Sequence, residues 1–349
     1  LLNAQTITAQ FVAGAETIVP SQILSDTTLT AAGSPYSVTN DLVVEAGHTL
    51  TLGPGTTLLM PPEKSIIVHG QLDANGTENL PIEIRGRSGK PWGNLSFVNT
   101  TGESSLSYVT IRDATASRQD PLNLKAAVSG YDSDLTLDHV DIDALQPIFA
   151  RYGSTTLNNC RIHIRFTGDG INIKSGNGAV VDSTFTGNPS PDTDAIDFDN
   201  VPGGLIQGNR IYVFLGFNSD AIDVGEGCQD LMVVSNRIFN ITDKGVSVGQ
   251  ASVAYIERNL IVDCDMGVGV KDAGSTAYID QNTFARNNYG VSVYEKNLGA
   301  GGGIAWVENS IFSRIKTAPV EADNLSSLSV KYSLSDTLAL DGIGNLLAD

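Results

Sequence analysis

Aspartates recur at a regular interval through the middle of this chain. Asp169, Asp194 and Asp220 stand 25 and 26 residues apart, and three residues beyond each stand Asn172, Asp197 and Asp223, followed by Lys174, Asp199 and Gly225. If these segments lie side by side in register, Asp169, Asp194, Asp197, Asp199, Asp220 and Asp223 crowd onto one patch. Like charges on adjacent strands repel, so such a patch must hold protons or bind a cation. Calcium takes six to eight oxygen ligands, and the candidates are Asp192, Asp194, Asp197, Asp199, Asp220, Asp223 and Glu226. The competing expectation is that alternate aspartates point into separate turns and bond corner amides.

What must position them is a repeat. Asp169-Gly-Ile-Asn-Ile-Lys174, Asp194-Ala-Ile-Asp-Phe-Asp199, Asp220-Ala-Ile-Asp-Val-Gly225, Lys244-Gly-Val-Ser-Val-Gly249, Met266-Gly-Val-Gly-Val-Lys271 and Tyr289-Gly-Val-Ser-Val-Tyr294 superimpose at offsets of 25, 26, 24, 22 and 23 residues. A period of that size marks a stacked solenoid. A second column, Asp138, Cys160, Ser183, Asn209, Asn236, Asn259, Asn282 and Asn309, keeps the same phase; it is expected at a corner where Asn tolerates left-handed backbone and bonds the neighbouring rung. The apolar runs are short and alternating, and helical periodicity is almost absent. Together these predict an all-β chain, a parallel β-helix in which each strand pairs with its counterpart in the next coil about 4.8 Å away.

The stretch from Tyr36 to Ile111 follows a looser version of this plan, with Leu52-Gly-Pro-Gly-Thr56, Gly70-Gln-Leu-Asp-Ala74, Asn79-Leu-Pro-Ile82 and Trp92-Gly93. It resembles the opening coils of extracellular right-handed parallel β-helix proteins of the pectin-lyase-like superfamily, and with the later coils the resemblance covers nearly the whole chain. It implies a single-stranded right-handed solenoid. Function it leaves open, because that superfamily includes lyases, hydrolases, epimerases, adhesins and inert scaffolds. Residues 1–35 are expected to cap the N-terminal end, and residues 36–349 to form one β-helix domain. Tyr332-Ser-Leu-Ser-Asp336 and Gly342-Ile-Gly-Asn345 still read as coil material, so more chain is expected to follow.

A net charge of -18 argues against nucleic acid and anionic membranes as partners and favours neutral glycans or calcium. No run of 18 apolar residues predicts membrane insertion, and no signal core is present. Cys160, Cys228 and Cys264 have no paired spacing and read as buried or corner thiols. Five sequons, at Asn75, Asn94, Asn99, Asn240 and Asn324, permit a secreted or cell-surface location.

The acidic segments carry a second resemblance. Asp192-Thr-Asp-Ala-Ile-Asp197, Asn218-Ser-Asp-Ala-Ile-Asp223 and Asp243-Lys-Gly-Val-Ser-Val248 are similar in order and spacing to the polygalacturonase family of glycoside hydrolases, which shows Asn-Thr-Asp, an Asp-Asp pair, Gly-His-Gly and then Arg-Ile-Lys. The resemblance implies that Asp194 and Asp220 belong to the group that activates water. Ser219 stands where the general acid is expected, Lys244 replaces the His, and Gly269-Val-Lys271 retains only the final Lys, which counts against polygalacturonase activity itself. Glycoside hydrolysis needs two carboxyl groups, and Asp197 or Asp223 could serve as the acid. A lyase would instead need a cation and a basic side chain, for which Lys244, Lys271 and Arg165 are candidates. Among the histidines only His163 is expected near the patch. Tyr212, Phe214, Phe217, Tyr289 and Tyr294 could stack on sugar rings, although loop packing is the stronger expectation for Phe214 and Phe217.

Two functions follow. One is an extracellular polysaccharide-directed protein, binding or cleaving a polysaccharide or cell-surface glycan as a glycoside hydrolase or polysaccharide lyase, with Asp194, Asp197, Asp220, Asp223 and Lys244 as the catalytic candidates and calcium as cofactor. The other is a noncatalytic adhesion, surface-layer or matrix-assembly module stiffened by rung stacking and calcium, with self-assembly through the solenoid ends. Carboxylates confined to three coils favour the first, since a purely structural repeat would be more uniform.

Overall fold

The computed structural model describes residues 15–115, 122 and 124–348. Among them there is no α-helix; short strands pair only with strands of the coils before and after, all in parallel. Each coil contributes to three long sheets. In one coil, Arg161–Ile164 lies in the first sheet, Ile171–Lys174 in the second and Asn177–Val181 in the third. Their partners one coil on are Thr184–Thr186, Ile196–Asp199 and Leu205–Gln207. The third sheet counts 13 strands. Arg237–Val248 and Leu260–Lys271 run through both of the first two sheets, with an irregularity between Ile241 and Lys244. This is the parallel β-helix that the repeat predicts.

Alternation within each strand builds the core. In the second sheet Ile171, Ile173, Ile196, Phe198, Ile222, Val224, Val246 and Val248 point inward and are buried, while Asn172, Asp197, Asp223 and Ser247 form the outward file. Phe185, Phe198, Phe214, Phe284 and Phe312 fill the axis, each contributing on the order of 2 to 3 kcal/mol by burial. Cys160, Cys228 and Cys264 are buried free thiols.

The asparagine column faces inward. Asn209, Asn236, Asn259 and Asn282 are buried, and each of the first three donates Nδ2 to the next residue's Oδ1 at 3.0 Å while that same oxygen accepts its backbone N–H. A second Nδ2 bond reaches a carbonyl of an earlier coil, as from Asn236 to Ile206 at 2.9 Å. Buried amides are tolerable only when paired in this way. The left-handed corner is one residue earlier, at Gly208, Ser235, Arg258 and Gln281, so the expected left-handed asparagine is corrected by one position. Two members fall out of the column: Asn309 occupies the left-handed corner and Ser310 takes the inward place, while Asp138 pairs with Asn158, two residues before Cys160.

Within the expected cap, Thr17–Ile18, Gln22–Ile23 and Thr27–Leu29 already pair with strands of the next coil, so residues 15–35 wind as a rung of the solenoid. The rest of the expected cap, residues 1–14, lies outside the described residues. Of the sequon asparagines, Asn94 is buried, donating to the carbonyls of Leu124 and Ala126, whereas Asn75, Asn99, Asn240 and Asn324 are exposed.

Candidate functional site

The outward face of the second sheet gathers the aspartates through strand register. Asn172 pairs with Asp197, and Asp197 with Asp223. Just before these strands, Asp169, Asp194 and Asp220 form a second file in which each carboxylate accepts the backbone N–H of the equivalent residue one coil on. The distances are 3.2 Å from Asp194 to Asp169, 2.6 Å from Asp220 to Asp194 and 2.9 Å from Lys244 to Asp220. Short polar side chains suit this place because they satisfy amides that the sheet ladder leaves free.

Three carboxylates draw closest. One oxygen each from Asp169, Asp194 and Asp197 lie within 4.8 Å of one another. Beside them Asn172 is 5% exposed, donates Nδ2 to Asp197 and, at 3.4 Å, to Asp169, and leaves its Oδ1 buried without a partner. Asn172 thus turns its Nδ2 edge toward the acids, and its Oδ1, on the other edge of the amide, is a buried acceptor without a partner.

Burial is the main force on these acids. It pushes Asp169 up to about 6, against backbone and Asn172 hydrogen bonds that pull it down. Asp194 stands well above the ordinary carboxylate range through burial and then the charges of Asp220, Asp223 and Asp169. Asp197 is raised by burial and by Asp199, Asp169 and Asp223. Asp220 is pushed up to about 6 by burial although Lys244 opposes it.

The next coils place cations beside this acid ladder. Lys244, 3% exposed, reaches Asp220 at 3.3 Å and Asp243 at 2.6 Å. Burial alone would lower Lys244, but those two carboxylates hold it above its usual value. Lys271 approaches Asp223 Oδ1 only to 3.7 Å, and that oxygen and the neighbouring Ser247 Oγ are buried without hydrogen bonds. Room for these side chains comes from glycine: a Cβ at Gly269 would meet Lys244 Cδ at 2.8 Å, and one at Gly249 would meet Lys271 Cε at 2.9 Å. Tyr294, beside Lys271 in register, is pushed up to about 12 by burial despite Lys244. A recess of about 270 Å³ opens here between Asp223, Gln250, Lys271, Asp272, Lys296 and Asn297.

The expected ligand set therefore divides. Asp194 and Asp197 lie together, joined by Asp169. Asp199 instead pairs with Lys174 at 2.5 Å, a lysine that also nears Glu226 at 3.5 Å. Asp220 and Asp223 face Lys244 and Lys271, and Asp192 sits in a left-handed turn accepting from Asn218 at 2.8 Å. His163 and Arg165 turn away: both contact Asp143 on the first sheet, Arg165 through two bonds of 2.5 and 2.9 Å. Phe214, expected to pack in a loop, is instead a core residue, and Phe217, expected to do the same, is 82% exposed. Asp169 shares the sequence column of Asp194, but only the fold brings its carboxylate against both Asp194 and Asp197.

A family model described as "Right handed beta helix region" matches residues 126–299. Over 101 residues, 29% of the chain, the sequence is 37% identical to "Protein bark beetle" of Drosophila melanogaster, of whose length it spans 3%. Among solved structures, a mutant of the periplasmic alginate epimerase AlgG superimposes with a TM-score of 0.63 at 10% identity, covering 92% of this chain and 84% of that one. The Azotobacter vinelandii mannuronan C-5 epimerase AlgE6 A-module gives 0.51 at 12% identity, with 96% and 91% covered. At such identities the likeness shows the fold, and gives the solenoid its right hand.

Proposed function

Since the chain is a right-handed parallel β-helix with the pectin-lyase-like fold, and its outward carboxylates are concentrated on one sheet face, we propose that this face is a calcium-assisted site for a polysaccharide or cell-surface glycan. The observation that carries the reading is the coincidence, on adjacent rungs, of the Asp169, Asp194 and Asp197 oxygens with the unpartnered Asn172 Oδ1, Asp223 Oδ1 and Ser247 Oγ. Buried polar atoms without partners are scarce in folded chains, and their clustering suits a surface completed by a ligand.

Asp169, Asp194 and Asp197 would hold the ion. Calcium would there supply the positive charge that lets the carboxylates ionise together and would offer a coordination point for glycan oxygens. Asp220 and Asp223 would then be the pair that holds and moves a proton. Burial pushes Asp220 up to about 6, so it takes up a proton more readily than an ordinary carboxyl, while Asp223 Oδ1 accepts no hydrogen bond and stands 3.7 Å from the Lys271 ammonium. Lys244 positions Asp220 and is too enclosed to meet substrate, while Lys271 lies at the rim of the recess. The four exposed sequon asparagines suit an exported or cell-surface protein.

The test is a polysaccharide panel scored for new reducing ends and for ultraviolet-absorbing unsaturated ends, with calcium or chelator, and with Asp220→Asn and Asp223→Asn as controls. Calcium-dependent turnover or binding lost in the variants supports the site. Failure of every glycan to bind or react, together with strong stabilisation by calcium, would leave the scaffold reading, which one observation favours: Asp169, Asp194 and Asp220 each also brace the next rung through a backbone N–H.

A further inference from the structure

The third sheet carries a feature that the acid ladder does not use. Tyr255, Tyr278 and Trp306 occupy the same outward position in three successive strands. Their rings stack, with centroids 4.9 Å apart in both pairs and planes within 10° and 11° of parallel. Stacking of this kind covers the faces of the inner rings. At one end Tyr255 is in register with Met232, but at the other Trp306 is in register with Ser329, whose side chain is too small to cover an indole. Trp306, 38% exposed, is therefore the last ring of the stack, with only the small Ser329 in register beyond it as a ledge.

Polar groups of both kinds flank that ledge. Two residues along the same strands are Asp280, Glu308 and Lys331, and the Glu308 carboxylate stands 3.7 Å from the Lys331 ammonium, too loose for a closed hydrogen bond. A recess of about 350 Å³ is lined by Tyr278, Ile279, Asp280, Trp306 and Glu308.

We propose that this ledge binds an uncharged glycan, one pyranose ring lying with its C–H face on the indole of Trp306 and its hydroxyls shared between Glu308 as acceptor and Lys331 as donor. Three features select that ligand class. The column Glu257, Asp280 and Glu308 repels anionic chains. The cluster is small, because rings of 150 to 250 Å² each, with Tyr278 and Trp306 38% exposed, offer only roughly 200 Å², well under the roughly 800 Å² per partner of a stable protein interface. A flat apolar face with a donor and an acceptor at its edge matches a sugar, which presents both surfaces at once. The site lies on a different sheet from the acid ladder and does not depend on it.

The chain supplies its own probe. Of its two tryptophans, Trp92 is fully buried and Trp306 is 38% exposed, so a glycan on the ledge changes the emission of Trp306 alone. Titration with uncharged gluco-, manno- and xylo-oligosaccharides, and with oligouronates for comparison, should give a saturable change for at least one uncharged series with a Kd of roughly 0.1 to 1 mM. Ser329→Ile places a branched side chain with no flat face over the ledge and should weaken that binding at least tenfold. Asp194→Asn, on the other sheet, should leave it unchanged, which separates this site from the calcium-assisted one. Isothermal titration of Trp306→Phe, which keeps a smaller platform, should show weaker but measurable binding. No response to any uncharged series, a response to oligouronates alone, or full binding in a correctly folded Ser329→Ile would overturn the proposal.

Discussion

Replacing Asp194 with Asn tests the electrostatics of the second sheet directly. The Asp194 carboxylate accepts the Asp220 N–H at 2.6 Å, a bond that the amide oxygen of Asn preserves. What changes is the charge. With one oxygen from each of Asp169, Asp194 and Asp197 within 4.8 Å, two unit charges at that separation repel by about 3.5 kcal/mol at an effective dielectric constant near 20. The cluster relieves part of this by keeping a proton, so a net gain of about 2 kcal/mol is expected for Asp194→Asn in chelator at pH 8. At pH 5, where these raised acids are largely protonated, the gain should shrink toward zero. Calcium should invert the order: at a hundredfold excess over its Kd it stabilises the wild type by about 2.7 kcal/mol and should stabilise the variant much less. Thermal unfolding followed by circular dichroism at both pH values, with calcium and with chelator, measures all four quantities. If Asp194→Asn destabilised the metal-free protein at pH 8, or gained as much from calcium as the wild type, the reasoning about the cluster would be wrong.

Three further outcomes are expected. The folded-state values of Asp169 and Asp220 lie near 6 against an ordinary 3.8; the folded protein then holds more protons than the unfolded chain, so in chelator stability should fall as pH rises from about 4 through 6, by up to about 3 kcal/mol per group, and a denaturation midpoint rising over that window would contradict this. Asn236→Ala strips partners from Asn209, Asn259 and the Ile206 carbonyl inside the core and should cost about 3 to 5 kcal/mol, so a loss under about 1 kcal/mol on denaturant unfolding would refute the ladder's energetic role. Val213 holds φ 68°, a left-handed corner that Asn240 occupies one coil on at φ 55°; Val213→Asn should therefore raise stability by about 1 kcal/mol in the same assay.

Much of the architecture was legible because a solenoid writes its geometry as a period. The recurrence from Asp169 to Tyr289 placed the second sheet's strands, and alternation such as Val246 and Val248 told which side faces the core. Legibility failed where coils differ in length. Asp138 and Asn309 looked like column members, yet hydrogen bonds rather than spacing decide which residue of a corner turns inward, and there Ser310 and not Asn309 does.

At the candidate site the division is sharper. The one-dimensional repeat by itself determined that Asp169, Asp194, Asp197, Asp220 and Asp223 share a wall, because strand register in a parallel stack preserves order from coil to coil. Only the tertiary structure decided how they divide among partners: Asp199 goes to Lys174, Asp220 to Lys244, Asp223 toward Lys271, and Asp169, Asp194 and Asp197 remain together beside an unpartnered amide oxygen. It likewise decided that Trp306 ends a stack of rings, with Ser329 in register beyond it. The physical reason is that pairing depends on the reach of a side chain and the space a neighbouring glycine or serine leaves, quantities set across coils some two dozen residues apart and invisible along the chain.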